Sequence, residues 1–323
     1  MFDTCEMYDA NGVLTSNPES TTKLYMTAKE GGPRLHDVAQ QFPHLKTLMI
    51  DSHNTANLGE FLDISHSVGQ NLAYLTELVL SHGEIADTHF RQLLSCCPQL
   101  EKLELSSIRV WGSLMQCDTL PKLVSLCVRD SWMGSTAFEY LLPQCPSLRG
   151  LEIKGSYVAD DLLAVFQKVK NSLSGLKELM ISGHEFVGCE IQTISDELEA
   201  MFRILPALER FMNYRVIDIL KVALQENRIF LAKKILLVCP GITYIPENEA
   251  SQKLFEKLSA EVAVEKWERS VRVIQANDST VSRSGDWYVF FPETSRCLSS
   301  EEANLVGVDV DTESNIYKIC IIA

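Results

Sequence analysis

Three histidines, His53, His82 and His184, each follow a similar short apolar run, a recurrence that invites a search for a shared metal site or a general base. A zinc site needs three or four ligands converging on one point. These histidines differ by a residue in their places after the runs, and adjacent runs supply no pair. No ligand set closes, and ordinary loop positions are expected. The thiols Cys96, Cys97, Cys127 and Cys297 have no neighbouring His and Asp arrangement to draw off a proton, and without one a cysteine is not an activated nucleophile. Gly31-Gly32-Pro33 reads as a turn rather than a phosphate cradle. No catalytic residue, metal or cofactor is expected, and the role should be non-enzymatic.

Binding chemistry is better represented. Trp111 directly follows Val110, Trp132 directly precedes Met133, and Tyr157 directly precedes Val158. Exposed aromatics gathered on one rim are the usual anchors of protein interfaces. The alternative is that the rings fold against each other or under the C-terminal segment.

The elements that place these residues come from a repeat. The stretches "FPHLKTLMI", "LAYLTELVL", "CPQLEKLEL", "LPKLVSLCV", "CPSLRGLEI" and "LSGLKELMI" share one pattern. Their first anchors are Leu45, Leu75, Leu100, Leu123, Leu148 and Leu176, so successive copies are 30, 25, 23, 25 and 28 residues long. In an extended segment alternate side chains face opposite ways. Pairs such as Leu48 with Ile50, Leu103 with Leu105 and Leu151 with Ile153 therefore point into one core. One copy cannot bury its apolar face alone, so copies must stack, with a parallel sheet as one layer and the return segments as another. "DTHFRQLLSCC", "GSTAFEYLLPQC" and "DDLLAVFQKVKNS" read as return helices, with Asp87, Gly134-Ser135 and Asp160 at their starts. Five residues after the last anchor stand Ile85, Val110, Met133, Val158 and Phe186, all apolar, which marks the descent from strand to helix. The fold class is α/β: a leucine-rich-repeat solenoid or horseshoe, with a parallel concave sheet and a helical convex layer.

On the concave face the central column is Met49, Val79, Glu104, Cys127, Glu152 and Met180, and the next is Asp51, Ser81, Ser106, Arg129, Lys154 and Ser182. Met, Val and Cys among Glu, Arg and Lys suit a protein partner, and a plain solvated sheet face is the alternative. The candidate protein-binding residues are Trp111, Trp132, Tyr157, Arg129, Lys154, Glu104, Glu152 and Met180.

Cys97, Cys145 and Cys239 each precede a proline between a return helix and the next strand, where proline stops the helix and cysteine packs as a small apolar group. With the "IAD" and "VAD" turns at Ile85 and Val158, roughly residues 33 to 245 resemble the cysteine-containing repeats of F-box/leucine-rich-repeat ubiquitin-ligase substrate receptors. The resemblance implies a substrate-recognition role with ubiquitin-ligase subunits as partners. Two features depart from that family. Its second cysteine is replaced by Gly83, Ile108, Ser131 and Ser156, and the stretch before Phe42 is too short and too polar for the F-box. A structural or regulatory scaffold outside ubiquitin ligation is the rival. Some leucine-rich-repeat proteins activate GTPases through one rim arginine, and Arg109 resembles such a residue in position.

Composition narrows the setting. The 323 residues are 46% hydrophobic and 22% charged, which suits a folded chain. A net charge of -14, without a cluster of Lys and Arg, argues against nucleic acid. No apolar run approaches the ~20 residues that span a bilayer, and no secretory start is evident. A soluble cytoplasmic or nuclear chain with its ten cysteines reduced is expected. The sequon at Asn277-Asp278-Ser279 reads as a chance match.

Residues 1–32 read as a flexible leader or N-terminal cap, 33–245 as the solenoid, and 246–323 as a C-terminal helix with a strand-like tail. The repeat frays at "LPALERFMN" and "CPGITYIPE". Between them two helices, broken at Glu226-Asn227, should form a cap over the last strand. The following helix places Leu254, Leu258 and Val262 on one side, with Trp267 as a further candidate. "WYVFF" and "IYKICIIA" read as strands that either join the sheet edge, form a small appended domain, or order only on a partner.

Overall fold

The computed structural model describes residues 6–7, 21–28, 35–52, 58, 62, 72–111, 118–155, 157–158, 162–182, 191–213, 215–239, 242, 248–277, 288–289, 308–311 and 316–319. The chain divides into two compact units, Met1–Ser259 and Ala260–Ala323.

In the first unit the described strands form one parallel sheet. They are β1 Glu6–Met7, β2 Lys23–Thr27, β3 Thr47–Asp51, β4 Glu77–Ala86, β5 Lys102–Trp111, β6 Ser125–Arg129, β7 Trp132–Met133, β8 Gly150–Lys154, β9 Tyr157–Val158, β10 Glu178–Ser182 and β11 Arg210–Met212. The order β1-β2-β3-β4-β5-β6-β8-β10-β11 follows the chain, and the two-residue strands β7 and β9 continue the ladder beside the far end of β5. The register reproduces the repeat alignment residue for residue: Leu48, Leu78, Leu103, Leu126, Leu151 and Leu179 lie opposite one another in turn, as do Ile50, Leu80, Leu105, Val128, Ile153 and Ile181. All of these, with the six first anchors, are buried.

One backbone device locks the register. The carbonyls of Thr22, Lys46, Thr76, Glu101, Val124, Arg149 and Lys177 each accept two consecutive N–H groups from the following copy, as when Val124 and Ser125 donate to Glu101 at 2.8 and 3.0 Å. These pairings satisfy the donors at each strand start, which would otherwise be left unpaired.

The sheet begins earlier than the six-copy alignment. Strand β2, from the stretch read as leader or cap, pairs with β3 in the same register, with Leu24 opposite Leu48 and Met26 opposite Ile50. Its first-anchor place holds Thr21, which is buried, so the leucine spacing is missing although the packing role is kept.

Helices α1 Leu35–Gln41, α2 Asp87–Ser95, α3 Ser135–Leu141, α4 Leu162–Lys168 and α5 Ile191–Ile204 return the chain between strands. Their buried residues, such as Phe90, Phe138 and Phe166, join the anchors in one core. Cys97 and Cys145 are buried just after return helices, as their place before proline implies, and Cys239 is buried as well. Ile85, Val110 and Met133 are buried and in register with one another, and Val158 takes the matching place in β9. Phe186 lies outside the described residues.

The step from strand to descent is a left-handed residue in four consecutive copies: His82, Ser107, Asp130 and Gly155, with φ of 58°, 55°, 47° and 59°. Glycine is favoured at the last of these by its φ, and a Cβ on Gly155 would also require the Asp130 carboxylate to move.

The array ends in two helices, α6 Val216–Gln225 and α7 Ile229–Val238. The break falls at Glu226-Asn227 as expected: Asn227 is left-handed at φ 56°, and the Arg228 N–H closes the turn onto Ala223 O at 2.7 Å. Leu231, Ala232, Ile235 and Val238 extend the core. Arg228 fastens the hairpin to α5, its guanidinium donating to Glu199 Oε2 from Nη2 at 2.6 Å and from Nε at 2.9 Å.

Helix α8, Glu249–Asn277, contains the division between the units. Leu258 is in the core of the first unit with Leu254 packed against it, and Val262 is buried. The Trp267 side chain lies outside the described residues. In the second unit, β12 Tyr288–Val289, β13 Val308–Asp311 and β14 Ile316–Ile319 form a separate antiparallel sheet in the order β12-β14-β13. The described tail strands pair with one another, and they include a third strand, β13, that was not read from the sequence.

Candidate protein-binding face

The face of the parallel sheet opposite the helices carries the two expected columns and extends them. The central column is Tyr25, Met49, Val79, Glu104, Cys127, Glu152, Met180 and Met212, each directly opposite the next. Neighbouring strands lie about 4.8 Å apart, so the column is a continuous stripe. The second column runs Thr27, Asp51, Ser81, Ser106, Arg129, Lys154 and Ser182.

Three of the candidate binding residues meet at the centre of this face. Arg129 binds Glu152 through two parallel bonds, Nε to Oε1 at 2.8 Å and Nη2 to Oε2 at 3.0 Å, and reaches back to Glu104 Oε1 through Nη1 at 2.9 Å. One guanidinium thus spans three adjacent strands. The hydrogen bonds from Arg129 hold the Glu152 carboxyl below its ordinary range, and those bonds raise the guanidinium's own pKa. Cys127 sits between the two carboxylates; its burial, and next the Glu152 charge, push the thiol up to about 12. It is therefore a neutral thiol at physiological pH. Lys154 is exposed beside this clamp.

Toward the N-terminal end, Asp51 is only 7% exposed and accepts hydrogen bonds from Tyr25 Oη at 3.0 Å and from His82 Nδ1, which lies 3.1 Å away. The Ser52 hydroxyl donates to the His82 carbonyl and so supports the left-handed turn there. His82 is thus hydrogen-bonded to the Asp51 carboxylate from within β4 rather than standing at an ordinary loop position. His53, His184, Cys297 and Gly31-Gly32-Pro33 lie outside the described residues. Among the described residues, no three or more His, Cys, Asp and Glu side chains converge to hold a metal, and no helix is long and apolar enough to cross a membrane.

At the C-terminal end of the face, Met180 and Met212 stand side by side and line a depression of about 110 Å³ with Ser125, Gly150, Glu152, Glu178 and Arg210. Arg210 Nη1 pairs with Glu178 Oε1 at 3.1 Å on its margin. Met212 and Tyr25 were missed from the sequence. Both stand four residues after a first-anchor place, at Leu208 and Thr21, as Met180 does after Leu176. Counting forward from the frayed copy would have found Met212.

The rim beyond the left-handed turns carries the aromatic signal. Glu84, Arg109, Trp132 and Tyr157 are successive partners in register. Trp132 is 43% exposed, with the Arg109 guanidinium 5.3 Å from its ring centroid, and Arg109 Nη1 pairs with Glu84 Oε1 at 3.0 Å. Trp111 is opposite Ala86 instead, two residues further along β5 than the Trp132 register position. The side chains of Trp111 and Tyr157 lie outside the described residues.

No protein-family profile matches the chain, and neither does any curated protein. Similar solved structures include a structural-genomics target protein from Bacteroides fragilis, at 17% identity and TM-score 0.39 over 67% of this chain and 58% of that one. They also include an internalin from Listeria monocytogenes, at 14% identity and TM-score 0.29 over 49% of this chain and 47% of that one. This chain spans less than two thirds of either. The leucine-rich-repeat architecture stands on the chain's own strand register and buried anchors.

Proposed function

We propose that the chain is a non-catalytic protein-binding scaffold that docks its partner on the open sheet face and the adjoining rim. The observation that carries this reading is Trp132, exposed over 43% of its surface yet stacked by Arg109, which is in turn paired to Glu84. A large ring already held in place loses little freedom on binding, and such rings supply a disproportionate share of interface energy. The stripe of Met, Val and Cys interrupted by an ion-paired centre adds the mixed polarity of protein interfaces.

A narrower reading makes the chain the substrate-recognition part of an SCF-type ubiquitin ligase, acting in the cytoplasm or nucleus. It is supported by the buried cysteines Cys97, Cys145 and Cys239 at the helix ends, which the repeats of those receptors also carry. A structural or regulatory scaffold is the alternative. Affinity capture from the native cell, with the intact chain and a Trp132→Ala variant in parallel, tests both. A specific protein lost by the folded variant supports docking at the rim, and unchanged recovery of every partner removes it. Cullin and its adaptor among the partners support the ligase reading, and their absence beside other specific proteins refutes it.

A further inference from the structure

The open face holds two thioethers as a directly opposed pair, one exposed and one half-buried. Met180 and Met212 are register partners and line the same depression, where Gly150 and Ser125 leave room above the sheet. Met212 is 46% exposed and Met180 is half-buried, whereas Met26, Met133 and Met201 are in the core. Met49, in the same stripe, is half-buried but does not line the depression.

We propose that Met180 and Met212 form an oxidant-responsive site, at which a peroxide turns polar the two thioethers in a depression also lined by Ser125, Glu152, Glu178 and Arg210. The proposal rests on the binding-face reading for its consequence, but not for its chemistry. A thioether sulfur attacks one peroxide oxygen and the O–O bond breaks. The sulfur gains one oxygen atom and is oxidised by two electrons, and the peroxide is reduced to water. No ionisation is needed. Thiols, by contrast, react as thiolates, and the described cysteines are poor sources of them. Cys97, Cys145 and Cys239 are buried, Cys96 is raised by burial, and Cys127 is pushed up to about 12. Oxidation of this region is therefore diverted from sulfur acids and disulfides, which thiolates form, to sulfoxides, which reductases reverse. A sulfoxide oxygen formed here has the Ser125 hydroxyl and the Arg210 guanidinium as neighbouring donors in the lining. A flexible apolar contact becomes a hydrogen-bond acceptor, so a partner that lays apolar surface on the depression is released.

The test treats the intact folded chain with hydrogen peroxide, quenches at intervals and follows each methionine and cysteine by peptide mass spectrometry. Met212 and Met180 should gain one oxygen at least about tenfold faster than Met26, Met133 and Met201, as accessibility governs thioether oxidation. The five described cysteines should remain alkylatable after unfolding. Methionine sulfoxide reductases should restore both residues in the folded protein, and M180L and M212L variants should each remove one fast event. Rates for the pair within about twofold of the core methionines, or loss of a described thiol before Met212, overturn the proposal. The readout needs no partner, so its failure leaves the docking reading intact, and a failure of the Trp132 test leaves this chemistry intact.

Discussion

Ser131 offers the sharpest test of how the copies are held together. Its side chain is nearly inaccessible, at 2% exposure. The oxygen accepts the Ile108 N–H at 3.0 Å, and the hydroxyl lies 2.7 Å from the Arg129 carbonyl and 3.2 Å from that of Leu105. With one proton, the hydroxyl donates to one carbonyl at a time while it accepts from the amide. Ser131→Ala therefore leaves the buried Ile108 amide without its acceptor, at a cost of about 1–3 kcal/mol. The control is Ser106→Ala, a half-buried serine on the open face of β5, which should stay within about 0.5 kcal/mol. Urea unfolding of the full chain should show a lower midpoint for Ser131→Ala at unchanged slope. Hydrogen exchange should show Ile108 losing protection before its neighbours. A Ser131→Ala midpoint indistinguishable from that of Ser106→Ala, with Ile108 still protected, would refute the reasoning.

Three further outcomes follow from the same geometry. Gly155→Ala places a side chain at φ 59° and against the Asp130 carboxylate; it should cost at least about 1–2 kcal/mol for the left-handed backbone alone. Adding Asp130→Ala should recover the steric part and leave the backbone part, as a double-mutant cycle in urea would show. Glu152→Gln should destabilise by up to about 1 kcal/mol at neutral pH. Because Arg129 lowers the Glu152 pKa on folding, that contribution is complete above the unfolded value of about 4.3 and is lost as pH falls through the folded one. The difference between wild type and variant should therefore narrow at pH 3, and a gap unchanged from pH 7 contradicts the assignment. With a thiol pKa of about 12, Cys127 should hold about 1 thiolate in 10⁴ at pH 8, against about a quarter for a free cysteine. Its alkylation by iodoacetamide in the folded chain should be about a thousandfold slower than after unfolding, and a rate within tenfold would count against the buried neutral thiol.

What was legible in the sequence was whatever a single residue type repeats. Leucine spacing fixed the strand register, the core and both columns of the open face, because the apolar requirement recurs in every copy. The boundaries were lost where a polar residue does the same work. Thr21 fills an anchor place and hid β2. Asn213 ended the pattern in the sequence, yet it is buried, with Nδ2 donating to Ile181 O at 3.0 Å and Oδ1 accepting the Arg215 N–H at 2.8 Å. Ser131 read as the absence of a family cysteine, whereas its hydroxyl bridges turns through hydrogen bonds. The left-handed column was invisible for a related reason. His82, Ser107 and Asp130 are not glycines, and their conformation is imposed by the ladder on either side.

The charge of the open face has a consequence for recognition. In the two columns and the preceding strand positions, the cations are Lys23, Lys102, Arg129, Lys154 and Arg210, and the anions are Asp51, Glu77, Glu104, Glu152 and Glu178. They balance, although the whole chain carries -14. The acidity therefore lies elsewhere, and the side chains of this face add no net charge of their own to the field a partner meets. Arg129 pairs with both central carboxylates and leaves the triad one net negative charge, and separating that clamp would leave charges half-shielded from water. On the docking proposal, recognition draws on shape and on the apolar groups of Met180, Met212 and Trp132, with the Arg129 clamp as a fixed polar part of the surface.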